Sequence, residues 1–306
     1  MGGFGALALL ALGRLGGGVL THASDLDLVY LFTGDFLAES DGPKPLGATQ
    51  YFNRLGQRIT NALSVHTASG PLYEVDTRLR PSGAQGLLAV STDSFARYQR
   101  EQAWTWEHMA LTRARVITGC PALGEHVTKI IRTVVGKPRE DPGLVIEVAS
   151  MRERIDKKRR TDNVWKLKHV RGGLLDIEFI AQYLQLRDAS RHAEILSQET
   201  DLVFERLARC GIMEEEDAAS LADAARLMRR LQALLRLTVG VSRDEGRYPA
   251  GLRQALAKAA GVETFDEVRD RLMKSEESVR AFYARYVQQP AEAGILDENK
   301  KESERV

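Results

Sequence analysis

Two aspartates one residue apart, Asp25 and Asp27, follow a glycine-rich segment in the sequence GRLGGGVLTHASDLDLVYLF, residues 13–32. Side chains alternate between the two faces of a strand, so a strand here directs both carboxylates the same way. Like charges held this close repel unless they share a cation or a proton. Mg²⁺ suits the pair because it prefers oxygen ligands and commonly takes one or two carboxylates together with substrate phosphates. The plain alternative for D-x-D alone is two acids facing water at a strand end.

A third acid belongs to the segment LYEVDTRLRPSG, in which polar and apolar residues alternate over a predicted strand at 72–80. Glu74, Asp76, Arg78 and Arg80 then share one face. If Asp76 lies beside Asp25 and Asp27, the three carboxylates form a site for two metal ions, and the arginines are available for phosphate oxygens. The alternative is a solvated face of paired charges.

The glycines of the first segment, Gly13, Gly16, Gly17 and Gly18, permit positive φ angles and a close backbone approach. Their N–H groups are therefore candidates for binding phosphate oxygens of a nucleotide. The segment lacks the G-K-[ST] of a Walker loop, and we expect it to open no helix, unlike a Rossmann fingerprint.

These residues resemble the nucleotidyltransferase superfamily of DNA polymerase β, whose pattern is a hydrophobic residue and Gly-Ser, a spacer, D-x-D, and a third acid on a later strand. Leu12 and Gly13 match its opening, but Arg14 replaces the serine. More narrowly, the chain resembles the bacterial glutamine synthetase adenylyltransferase (glutamate-ammonia ligase adenylyltransferase) family. This resemblance covers residues 6–190 and rests on the segment of residues 13–32, LYEVDTRLRPSGAQGLL, YQREQAWTWEHMALTRARVITG and VRGGLLDIEFIAQYLQL.

The resemblance implies transfer of AMP from ATP to a tyrosine hydroxyl of glutamine synthetase, with release of pyrophosphate, as in the C-terminal unit of the family. It implies ATP as substrate, Mg²⁺ as cofactor, glutamine synthetase as protein substrate, and control by PII signalling proteins. Two alternatives stay open: phosphorolytic removal of AMP from glutamine synthetase, and a catalytically impaired nucleotide-binding regulatory fragment.

Site residues follow from the same resemblance. Asp25, Asp27 and Asp76 would be the catalytic metal ligands, with Asp76 also helping to deprotonate the tyrosine. The nucleotide-binding residues would be Gly13, Arg14, Gly16, Gly17, Ser24, Arg78 and Arg80.

The bulk composition is that of a globular protein of 306 residues, with 43 basic and 42 acidic side chains. This balance gives no signature of nucleic-acid or membrane binding. The two cysteines, Cys120 and Cys210, have the spacing of neither a disulfide framework nor a zinc site, so we expect a cytoplasmic protein. The apolar run GFGALALLALG has no basic residue before it, and a core strand is expected there rather than a signal peptide.

The pattern predicts an α+β protein: a small mixed-sheet nucleotidyltransferase domain at 1–91, truncated at its N-terminus, then an all-α helical bundle at 92–290 and a charged, disordered tail at 291–306. Predicted strands are 6–12, 25–32 and 72–80. Predicted helices are 48–64, 93–117, 121–134, 142–158 after an N-cap at Asp141, 174–189, 198–210, 214–239, and a long helix that starts with a capping box of Thr264 and Glu267.

Several residues have two readings in sequence. Trp104 and Trp106, near a helix start, are expected to be core anchors rather than base-stacking residues. Arg113 and Arg115 lie two apart on the helix predicted at 93–117, so only one of them would face a site. Asp176 is expected to serve the first turn of a helix.

Overall fold

The computed structural model describes residues 5–22, 24–68, 70–139, 142–239 and 244–303. The chain divides into two compact units, Met1–Lys137 and Pro138–Val306. A mixed sheet with flanking helices forms the first unit, whereas the second is helical. The predicted α+β class is therefore confirmed.

The first unit has seven strands among its described residues: β1 (Ala6–Ala11), β2 (Leu26–Thr33), β3 (His66–Thr67), β4 (Gly70–Pro71), β5 (Val75–Asp76), β6 (Ala89–Ser91) and β7 (Arg115–Thr118). The main sheet has the order β5-β2-β1-β7, with β6 also paired to β2, and β3 and β4 form a separate pair. β1 is antiparallel to β2 and β7, whereas β5 and β6 run parallel to β2. β5 pairs with the start of β2 and β6 with its end.

The helices of this unit are α1 (Gly13–Gly16), α2 (Ala48–Ser64), α3 (Thr92–Glu101), α4 (Thr105–Leu111) and α5 (Pro121–Val135). The predicted helix at 48–64 has the bounds of α2. Its Phe52 stacks on Phe32 of β2 with ring centroids 4.7 Å apart, so aromatic packing fixes α2 against the sheet.

The prediction of a single helix at 93–117 is wrong, because α3, α4 and β7 lie in this range. The chain leaves helical geometry at Gln102. A new helix begins after Trp104, whose backbone N–H donates to Glu107 Oε2 at 2.9 Å. β7 then pairs with β1 through register partners such as Val116 and Leu10. Helical periodicity in the sequence cannot report such long-range pairing.

The strand predicted at 72–80 is reduced to the two residues of β5. Beyond it, the chain turns into a loop that Arg80 holds by donating to the carbonyls of Thr77, Ala84 and Gly86. An alternating sequence therefore continues past the point where the hydrogen-bonded ladder ends.

The domain limits also differ from those expected. The predicted end of the first domain near residue 91 would separate β7 from the sheet to which it is hydrogen-bonded, and the first compact unit extends instead to Lys137. The predicted disordered tail at 291–306 is helical as far as Ser303, within the helix Gln289–Ser303, and Ala291 is buried there.

The helices of the second unit are α6 (Gly143–Arg159), α7 (Leu174–Asp188), α8 (Thr200–Arg209), α9 (Glu215–Thr238), α10 (Ala250–Ala260), α11 (Phe265–Tyr283) and α12 (Gln289–Ser303). The capping box is confirmed, since Thr264 Oγ1 accepts from Glu267 N and Glu267 Oε2 from Thr264 N. The expected N-cap Asp141 lies outside the described residues. No helix in the described ranges is long and apolar enough to cross a bilayer.

Candidate active site

The two aspartates of the first segment lie at the start of β2, and β5 supplies the third. Asp27 of β2 is the register partner of Asp76 across the parallel β2–β5 pair. Asp25 immediately precedes β2, and one carboxylate oxygen from each of the three lies within 4.8 Å of the others. Strand alternation and parallel pairing thus bring three acids from two distant segments to one point.

The residues present fit a divalent cation. All three donors are carboxylate oxygens, the ligands that Mg²⁺ prefers, and their mutual repulsion is relieved by a cation between them. Gly13 makes room for the Asp27 carboxylate. A Cβ at Gly13 would lie 2.0 Å from Asp27 Oδ2, and the φ angle of Gly13 is +53°. No residue with a side chain fits at this position without displacing the Asp27 carboxylate.

Arg78 reaches back to this cluster from the loop after β5. Its guanidinium and its backbone N–H both donate to the Asp76 carboxylate. The hydrogen bonds from Arg78 hold the pKa of Asp76 below its usual value, although partial burial opposes this. The Arg78 side chain is 78% exposed, so it is free to turn from Asp76 toward an incoming anion. The Asp76 side chain is only 15% exposed, so its carboxylate would then need a cation as counter-charge.

The glycine-rich segment forms the one-turn helix α1 and then a turn, so our expectation that it opens no helix is wrong. Arg113 packs closely against the backbone of this segment. A Cβ at Gly16 would lie 2.0 Å from the carbonyl oxygen of Arg113, and one at Gly17 would lie 2.3 Å from the guanidinium of the same residue. Glycine is needed at both positions because Arg113 is buried against them.

Arg115 holds the same turn. Its Nε donates to the Gly16 carbonyl at 3.2 Å and its Nη2 to the Leu15 carbonyl at 2.8 Å. Arg113 follows α4 and Arg115 begins β7, so the expectation that both lie on one helix is wrong. The sequence held no signal for these contacts, which span about a hundred residues and depend on the pairing of β7 with β1.

Other predicted nucleotide-binding side chains serve local structure. The Ser24 Oγ is buried, accepts from Thr21 N at 3.1 Å and lies 2.8 Å from Thr21 Oγ1, so it closes the turn before β2. Arg80 is engaged with the carbonyls of its own loop. Arg14 lies half-buried within α1.

The prediction that Trp104 and Trp106 are core anchors is wrong. Trp104 is 70% exposed and Trp106 is 41% exposed. Met109 and Leu111 are the buried apolar residues of α4.

Asp176 was expected only to place a negative charge at the start of a helix, but the structure gives it a further role. It is almost fully buried in the second unit, where it accepts from the equally buried Arg152 and from the Gly172 N–H.

A mixed sheet with D-x-D at the start of one strand, a third aspartate on its parallel neighbour and a glycine turn in front defines a nucleotidyltransferase-type domain. Comparison with known proteins is more specific. Residues 2–130 match the family model for glutamate-ammonia ligase adenylyltransferase, and residues 147–289 match the model for GlnD PII-uridylyltransferase. One match falls in each compact unit.

Several curated relatives carry the name bifunctional glutamine synthetase adenylyltransferase/adenylyl-removing enzyme. The protein from Xanthobacter autotrophicus is 44% identical over 287 residues, which are 93% of this chain and 29% of the relative. Those from Rhodopseudomonas palustris strain BisB5 and Bradyrhizobium sp. strain BTAi1 are 41% and 42% identical, over 92% and 90% of this chain and 28% of each relative. The resemblance inferred from the sequence is confirmed, and the chain spans less than a third of the length of these relatives.

Proposed function

We propose that this chain transfers AMP from ATP to a tyrosine hydroxyl of glutamine synthetase and releases pyrophosphate. In this step the bond between the tyrosine oxygen and the α-phosphorus forms, the α–β phosphoanhydride bond breaks, and the phenol loses its proton. The names of the relatives support the substrate and the reaction class. The single observation that carries the chemistry is the convergence of Asp25, Asp27 and Asp76 within 4.8 Å beside a glycine turn.

Asp25, Asp27 and Asp76 would hold Mg²⁺. When bound, this ion neutralises phosphate charge and lowers the pKa of an oxygen that it coordinates. The pKa of Asp76 lies below its usual value, so this carboxyl is ionised at neutral pH. That state suits a metal ligand and makes Asp76 a weak base for a phenol, whose ordinary pKa is about 10.

The chain's other groups would bind and orient ATP. Gly13, which has no side chain to meet the Asp27 carboxylate, would let phosphate oxygens approach the backbone at the start of α1 beside the three acids. The N–H groups of Gly16 and Gly17 already donate to the carbonyls of Leu12 and Gly13, so these two glycines would serve by letting Arg113 pack against the turn. Arg78, exposed and already adjacent to the three acids, would exchange its pairing with Asp76 for a phosphate oxygen and offset the charge that develops on the leaving pyrophosphate.

The test is incubation of the purified chain with unmodified glutamine synthetase, Mg²⁺ and ATP labelled at the α-phosphate. Label should appear on a tyrosine of glutamine synthetase, and Asp27→Asn should reduce its rate by at least ~100-fold. Asp93→Asn is the matched control, because this acid is exposed on α3 of the same unit. Folded, ATP-binding protein that transfers no label would overturn the proposal.

A second incubation of the same chain distinguishes AMP transfer from AMP removal and from a regulatory fragment. Adenylylated glutamine synthetase, offered with Mg²⁺ and inorganic phosphate, should keep its AMP; release of ADP instead identifies the adenylyl-removing activity that the relatives' name also contains. Binding of ATP without either reaction identifies a regulatory fragment. Adding PII protein to the transfer reaction tests whether this chain responds to that partner.

A further inference from the structure

A second group of metal-ligating side chains lies in the helical unit, far from the aspartates in sequence. His192 follows α7, Glu194 lies in the 3₁₀ turn Ala193–Ile195, and Cys210 caps the C-terminus of α8. His192 Nδ1, a Glu194 carboxylate oxygen and Cys210 Sγ all lie within 4.8 Å of one another. Nothing in the adenylyl-transfer mechanism uses these three residues.

The two distances from the Glu194 carboxylate to its neighbours are close to those between ligands of one tetrahedral ion. His192 Nδ1 lies 3.5 Å from Glu194 Oε1, and Cys210 Sγ lies 3.4 Å from the same oxygen. Zinc bond lengths at tetrahedral angles place a nitrogen and an oxygen ligand about 3.4 Å apart, and a sulfur and an oxygen about 3.6 Å apart. The Glu194 oxygen is therefore already close to the spacing that a shared ion needs from both of its neighbours, and the remaining His192–Cys210 pair lies within 4.8 Å.

The backbone that carries these donors is fixed by its surroundings. Arg206 of α8 donates to the carbonyls of Glu194 and Leu196, which ties the 3₁₀ turn to the helix that ends in Cys210. Ile195, between the turn and the core, is fully buried. The three side chains are thus presented by rigid elements, which lowers the ordering cost of binding.

We propose that His192, Glu194 and Cys210 form a binding site for a zinc-class divalent cation. One imidazole, one thiolate and one carboxylate are the donor types of open three-ligand zinc sites, with a fourth position left to water or an external ligand. Binding converts the Cys210 thiol, which donates to Glu194 in the metal-free protein, into a thiolate, and the proton goes to solvent. Mg²⁺ does not compete, because it demands oxygen ligands.

The chain contains its own matched control, since its only other cysteine, Cys120, is exposed in the first unit. The whole 306-residue chain is titrated with Co²⁺ in excess Mg²⁺, which is added to fill the aspartate site, and the thiolate-to-cobalt charge-transfer absorption is recorded. Wild type and Cys120→Ser should bind one ion with this absorption, and Zn²⁺ should abolish it by displacement. Cys210→Ser should show no such absorption.

His192→Gln supplies a second, independent variant, and its half-exposed side chain makes a folding defect easy to avoid and to check by circular dichroism. It should weaken Zn²⁺ binding, measured by calorimetry, by at least ~10-fold. The proposal is overturned if wild type shows no thiolate absorption, if the absorption persists in Cys210→Ser, or if it disappears in Cys120→Ser.

Discussion

Asp27 and Asp76 face each other as register partners of two parallel strands, although 48 residues separate them in the chain. This pairing brings the third carboxylate to the D-x-D pair, and Asp25 completes the group from the residue before β2. The site therefore depends on one short stretch of β-pairing, which the proposed Mg²⁺ should in turn stabilise.

Removal of one site carboxylate should abolish stabilisation by Mg²⁺. At about 100 times its dissociation constant, Mg²⁺ should stabilise the wild-type chain by about 2.7 kcal/mol, because it binds only the folded state. Asp27→Asn should lose most of this gain, yet be no less stable than wild type without Mg²⁺, since it relieves repulsion. Thermal unfolding with and without Mg²⁺ measures the stabilisation by the ion and the stability of the ion-free variant, with Asp93→Asn as control. An unchanged Mg²⁺ response in Asp27→Asn would exclude these carboxylates as the ion's ligands.

Gly13 should be irreplaceable for a reason beyond its backbone angle. Gly13→Ala and Gly18→Ala both place a side chain at positive φ, which costs about 1–2 kcal/mol of stability in each. Only at Gly13 does the new Cβ meet Asp27, whereas nothing lies within 4 Å of a Cβ at Gly18. Calorimetry should therefore show Mg²⁺ affinity reduced about 10–100-fold in Gly13→Ala alone. Equal Mg²⁺ affinities in the two variants would contradict the close contact with Asp27.

Arg115 should support nucleotide binding without touching the nucleotide. Arg115→Met removes the hydrogen bonds to the Leu15 and Gly16 carbonyls, so the glycine turn loses its fixed position. We expect Mg²⁺-ATP to bind about 10-fold more weakly and the chain to lose about 1–3 kcal/mol of stability. Arg58→Met, on the exposed face of α2, should change neither. A stability loss with unchanged ATP affinity would show that the turn keeps its shape without Arg115.

Glu276 of α11 should make the helical unit less stable as the pH rises. Burial raises its pKa to about 7 from 4.5, against an opposing contribution from Arg280. Between these values the folded protein binds more protons than the unfolded chain, so stability is fully present below about pH 4.5 and falls as the pH rises through about 7. The loss should reach up to about 2–3 kcal/mol.

Chemical denaturation at pH 5 and pH 8 measures this effect. Glu276→Gln should remove most of the difference between the two pH values, because it leaves no buried charge to form. The neighbouring Glu277→Gln, on the exposed side of α11, should keep the wild-type difference. Identical pH profiles for wild type and Glu276→Gln would contradict a buried ionisation at this position.

Asp176 should be a principal stabilising residue of the helical unit. Asp176→Asn leaves the guanidinium of Arg152 buried without its main counter-charge, at a cost of about 3 kcal/mol. Asp156→Asn should cost less, since Asp156 is partly exposed and lies 3.5 Å from Arg152. Urea unfolding of both variants gives the comparison. A smaller loss for Asp176→Asn than for Asp156→Asn would reverse the assignment of the main partner.

The sequence by itself determined the features that arise from local backbone geometry. Apolar runs gave β1 and β2, helical periodicity gave α2 with its bounds, and strand alternation placed Asp25 and Asp27 on one face. The capping box at Thr264 is equally local, because its two hydrogen bonds join residues three apart.

Only the tertiary structure decided which distant segments meet. Because β7 pairs with β1, residues 115–118 form a strand and not the end of the predicted helix. For the same reason the first compact unit extends to Lys137, and Arg115 contacts the glycine turn. Likewise, α8 returns to the turn after α7 and brings Cys210 to His192 and Glu194, a group that no spacing in the sequence indicates. Periodicity reports which face of an element is buried, whereas the partner of that face is selected by packing and hydrogen bonding between remote parts of the chain.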